Sequence, residues 1–125
     1  MRITWGATVL ALAIAAAGVG RNMTVQAQAA PTIEQFPGLM KTISSTQTSL
    51  RAKMKENNLA DAAKDAQIIA TAFGDVEKFF ASKSKADAAG WAKTGREGAT
   101  AVASALAAND AAKATTELGN VAGTC

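Results

Sequence analysis

Residues 111–125 read Ala-Ala-Lys-Ala-Thr-Thr-Glu-Leu-Gly-Asn-Val-Ala-Gly-Thr-Cys, and their spacing decides the fold class. Ala111, Ala114, Leu118, Val121, Ala122 and Cys125 recur at three- and four-residue intervals, which is one face of a helix. Asp110 precedes them as a good N-cap, because its carboxylate can accept an orphan amide at the positive end of the helix dipole. A helix normally stops with Gly or Asn, a basic last turn, or a Pro just beyond. Here Gly123 is followed by Thr124 and then Cys125, on the apolar face. The spacing predicts a last helix that is incomplete at Cys125.

Upstream, the same helical spacing recurs, and no strand-like alternation interrupts it. The first helix is predicted from Phe36, with Pro37 tolerated in its first turn, and its stripe is Leu39, Met40, Ile43, Gln47, Leu50 and Met54. Asn57-Asn58 closes it and caps a second helix striped by Leu59, Ala62, Ala66, Ile69, Ala70 and Phe73. Gly74-Asp75 is expected to kink or interrupt that helix, with Val76, Phe79 and Phe80 continuing as a short turn. Ser84 and Asp87 resemble a capping box for a third helix, over roughly Lys85 to Ala108. Its inward residues are expected to be Ala88, Trp91, Gly95, Ala99, Val102 and Leu106. Four helices with short links predict an all-α fold, an antiparallel four-helix bundle. Ala, Gly and Thr dominate its third and fourth helices, so the seam is thin. Small residues there allow either close helix contact or a cavity for a large cofactor, and a marginal core without a staple or ligand favours the cavity.

The start of the chain carries a different signal. Arg2 precedes an apolar run from Ile3 to Val19, and Ala27-Gln28-Ala29 is an A-x-A cleavage pattern, with Ala15-Ala16-Ala17 the weaker alternative. Residues 1–29 are expected to be a cleaved signal peptide and 30–125 the bundle, in the periplasm and without a membrane anchor after cleavage. An uncleaved anchor is the competing reading, since the run is just long enough to span a bilayer. Cleavage leaves 96 residues, one small domain, with 11 basic against 10 acidic side chains. The near balance, and cations scattered without interleaved aromatics, exclude a nucleic-acid partner. Lys53, Lys55, Lys64 and Lys78 are expected to be solvated charges. The chain has no His and no Tyr, and no triad, metal cluster or phosphate loop, so it is not expected to be an enzyme. Its single Cys, in an exported domain, points to an intermolecular disulfide, a free thiol or another covalent use.

Several stretches resemble the cytochrome c′ family: Gly38-Leu39-Met40-Lys41-Thr42-Ile43, Ala89-Gly90-Trp91, the run Ala99 to Asp110, and Glu117 to Cys125. The last is similar to the lead-in to that family's C-x-x-C-H haem attachment site, with Cys125 as the first Cys. The resemblance covers the region after the signal in order; the second Cys and the His would fall beyond residue 125. It implies a periplasmic c-type cytochrome that binds haem iron for electron transfer or small-gas binding, with a redox protein as partner and a homodimer through the first two helices. It also implies haem c as cofactor, held by Cys125 as first thioether, with Met40 as candidate axial or distal iron ligand and Trp91 against the haem edge. The 125 residues alone would give one thioether at most and no His ligand. The chain departs from the family at Phe36, where many members have an Arg near a haem propionate. The alternative is a haem-free periplasmic helical module that binds partners, with Cys125 in an intermolecular disulfide. In their blander roles Met40 and Trp91 are core side chains.

Overall fold

A computed structural model describes residues 29–125; all of the expected export signal but Ala29 lies outside the described residues. Four helices follow one another: α1 (Phe36–Lys55), α2 (Leu59–Ser82), α3 (Ala86–Ala107) and α4 (Ala111–Ala122). Three near-identical links join them, because each helix stops in the same way. Asn57, Ser84 and Asn109 take φ of 58°, 56° and 58°, the left-handed conformation that ends a helix. The next residue then donates its amide back five positions, from Asn58 to Lys53 O, Lys85 to Phe80 O and Asp110 to Ala105 O, at 2.9, 2.9 and 2.8 Å. That same residue is the N-cap of the following helix. Asn58 accepts from the Asp61 amide and Asp110 from the Lys113 amide. Lys85 has no side-chain cap.

The expected capping box at Ser84 is therefore not formed. Ser84 occupies the left-handed position one residue too early, and the N-cap falls on Lys85. The expected break at Gly74-Asp75 is also absent. α2 runs unbroken through both residues, and the Arg96 stem lies over Gly74, where a Cβ would meet Arg96 Cδ at 3.4 Å.

Consecutive helices pack on one another, and contacts near both ends of the first pair run α1 opposite to α2. Phe36 at the start of α1 meets Phe79 and Phe80 at the end of α2, while Ser49 and Lys53 near the end of α1 meet Asp65 near the start of α2. Phe73 of α2 sits on Gly95 of α3, and Val121 of α4 on Gly98 of α3. α2 packs against both α1 and α3, and it buries Ala62, Asp65, Ala66, Ile69, Ala72, Phe73, Val76 and Phe79. Ile43 and Leu50 join these from α1, and Val102, Leu106, Leu118 and Val121 complete the centre.

At its two glycines the small-residue seam holds side chains where a cavity was expected. A Cβ on Gly95 would lie 2.6 Å from the Phe73 ring, and one on Gly98 would lie 2.8 Å from Val121 Cγ2. The glycines admit neighbouring side chains, while the grooves between α2 and α3 lie open at the surface, beside Gly74 and Arg96 and beside Gln67 and Ala103. Among the described residues no helix is long and apolar enough to cross a membrane.

Candidate functional site

The three residues singled out from the sequence are placed differently from one another. Met40 lies one turn into α1, half-buried and packed against the core. Trp91 was expected to face inward and instead is 66 % exposed. The buried line of α3 runs Ala92, Gly95, Ala99, Val102 and Leu106, so Trp91 is one residue, about 100° of helix, off it. Alanine takes the inward place because α2 comes close there. Trp91 flanks a surface groove with Phe80, Lys85 and Ala88, to which neither Met40 nor Cys125 contributes.

Cys125 and Ala122, expected on the buried stripe of α4, are both exposed. The α-helical ladder ends at Ala122. Thr124 and Cys125 then bond three residues back, to Val121 O and Ala122 O, which rotates the thiol off the stripe. Its Sγ lies 4.0 Å from Val121 O.

The end of the bundle that holds Met40 is closed by an aromatic trio. Phe36 stacks at a tilt on Phe79, with centroids 4.8 Å apart, and both meet Phe80 edge-on at 5.5 and 5.3 Å. Such pairs add about 0.5–1.5 kcal/mol each beyond the area they bury. Phe36 therefore belongs to an apolar contact, not to a site for a carboxylate. Reading Phe36 only as a departure from a family pattern hid this role; the signal available was its pairing in sequence with Phe79-Phe80 across an antiparallel turn.

A polar cluster between α1 and α2 also escaped the sequence. The Asp65 carboxylate, 6 % exposed, accepts from Ser49 Oγ at 2.7 Å and from Lys53 Nζ at 2.9 and 2.8 Å. Lys53 is thus a tether between helices, not a solvated charge. Gln47, also on α1, keeps a buried Nε2 without a hydrogen-bond partner. Elsewhere the charges are local. Lys64 bonds Asp61 at 3.0 Å, and this bond, then Asn58, holds the Asp61 carboxyl below its ordinary pKa. Glu34 is lowered likewise, chiefly by a backbone amide and then by Thr32.

No family model, curated protein or solved structure matches the chain. What the arrangement can do chemically rests on its own residues. Three soft sulfur donors are present among the described residues, the Met40 and Met54 thioethers and the Cys125 thiol, and the chain contains no imidazole. Among the described residues no group of three or more His, Cys, Asp or Glu side chains gathers to hold a metal ion. Around Gly95 and Gly98 the small-residue seam is filled and leaves no room for a porphyrin.

Proposed function

We propose that the chain is a periplasmic c-type cytochrome resembling cytochrome c′, in which Cys125 and Met40 would hold one haem c. The observation that supports this best is the neighbourhood of α4, which shares one groove with α1, lined by Arg51, Met54 and Lys55 on one side and by Ala111, Thr115, Leu118 and Gly119 on the other. Met40 on α1 is the first-helix sulfur that the resemblance assigns to the haem iron, and Cys125 is the thiol that it assigns to the first thioether.

When bound, haem iron supplies one-electron exchange or a binding position for a small gas. The residues present would act around it. Cys125 would form the first thioether, and Met40 would offer a soft sulfur that favours the ferrous state. The Phe36, Phe79 and Phe80 trio would keep water from that end of the bundle. Trp91, being exposed, is assigned no contact with the group. A homodimer and a redox partner protein remain part of the proposal.

The test is expression in a periplasm equipped for haem attachment, of the 125-residue chain and of the chain continued through its downstream reading frame. The continued chain should hold haem covalently through denaturation, and Cys125→Ser should leave at most one thioether. The 125-residue chain should give no stable His-ligated spectrum. A second reading, a haem-free partner-binding module, is favoured by one observation, the exposed thiol of Cys125. It predicts a dimer that reductant dissolves and no Soret absorption from either chain.

A further inference from the structure

The groove between α1 and α4 has no part in the proposed haem site and has a composition of its own. It encloses about 430 Å³, within the ~300–1,000 Å³ range of small-molecule sites. Met54, Ala111 and Leu118 give it an apolar lining, with Gly119 next to Leu118 and the Thr115 hydroxyl as a polar group between Ala111 and Leu118. Two cations, Arg51 and Lys55, stand at its edge one helical turn apart, and no acidic side chain lines it. Neither cation is in an ion pair with a carboxylate among the described residues, and the same holds for Lys41, Lys83, Lys85 and Lys113, none of which lines this groove. Like charges at this spacing on a helix repel one another. An anion seated between them would remove that repulsion.

We infer that the α1–α4 groove binds a free medium-chain fatty acid, its carboxylate between Arg51 and Lys55 and its alkyl chain along Met54, Ala111 and Leu118. The arginine fork suits a carboxylate in two-point contact, and the lysine adds a second charge. The apolar strip extends from Ala111 to Gly119, about 12 Å of helix, which suits an alkyl chain and leaves a small hydrophilic anion without contacts. Charge complementarity selects the headgroup, and the strip selects the tail.

Dodecanoate, below its micelle concentration, is the probe, read by calorimetry on the full chain with dodecanol and acetate as controls. Dodecanoate should bind at one site per chain, acetate should not bind, and dodecanol should bind at least about tenfold more weakly, a difference of about 1.4 kcal/mol. Raising salt should weaken dodecanoate, because the headgroup contact is exposed. The paired change Arg51→Gln and Lys55→Gln should abolish the preference for dodecanoate over dodecanol. Gly119→Leu should block both ligands without loss of folding, because a Cβ at Gly119 meets nothing within 4 Å. Equal binding of dodecanol, or dodecanoate binding that survives both the charge change and Gly119→Leu, overturns the inference, as does absence of binding.

Discussion

Gly95→Ala and Gly119→Ala are the same chemical change, and the structure gives them opposite signs. In a helix interior the substitution alone stabilises by about 0.5–1 kcal/mol through reduced backbone entropy. At Gly119 nothing lies within 4 Å of the new methyl, so that gain should be realised. At Gly95 the methyl would stand 2.6, 2.8 and 2.8 Å from three atoms of the Phe73 ring, far inside the ~3.5–4.0 Å optimum for carbon contacts. Phe73 is only 4 % exposed and has no free space to turn into. Overpacking of this kind costs about 1–3 kcal/mol, which exceeds the helical gain and leaves a net loss of about 0.5–2 kcal/mol. Urea unfolding should show Gly119→Ala more stable than the parent and Gly95→Ala less so. Thermal midpoints should separate the two by several degrees, since ~1 kcal/mol is worth about 4–8 °C in a domain of this size. In a Phe73→Leu background the penalty at Gly95 should shrink, a coupling of at least about 0.5 kcal/mol. Gly95→Ala as stabilising as Gly119→Ala, with no coupling to Phe73, would refute the filled seam and restore a cavity between α2 and α3.

Asp65→Ala should destabilise by about 2–3 kcal/mol in urea, because it strips Ser49 and Lys53 of a shared charged acceptor; a loss under ~0.5 kcal/mol would mean that the cluster does not tie α1 to α2. Ser84→Gly should stabilise by up to about 1 kcal/mol, since it relieves a left-handed residue that carries a Cβ, and an unchanged thermal midpoint would contradict the link geometry. The lowered pKa of Asp61 means that its charge supports the fold above the ordinary carboxylate range and that this support fades as pH falls through the lowered value. Asp61→Asn should therefore lose slightly less stability than the parent between ~pH 6 and ~pH 2, and identical pH profiles would contradict the Lys64 contact.

The helices were legible because Ala-rich composition and three-to-four spacing act through the backbone, within one segment. Phe36, Asn58, Asp110 and the N-terminal placement of Pro37 all mark the ends they were expected to mark. Ser84 misled because a left-handed C-terminal residue and an N-cap share the same polar residue types, and only the link geometry separates them. Trp91 misled because a line through Gly95 and Ala99 can be carried back by either three or four residues. Which one faces inward depends on how close α2 approaches, a property of Phe73 and Gly95 together. The pairing of Asp65 with Lys53 was likewise invisible, since it joins residues twelve apart on different helices. The thin-seam glycines allow two readings in the sequence, and the Phe73 ring on Gly95 and Val121 on Gly98 decide between them.

The haem proposal depends on a protein sequence that continues as C-x-x-C-H from Cys125, and sequencing the transcript past that codon measures this directly. Two residues followed by Cys-His are predicted. A stop codon, or any residues other than Cys-His at those two positions, would contradict the account.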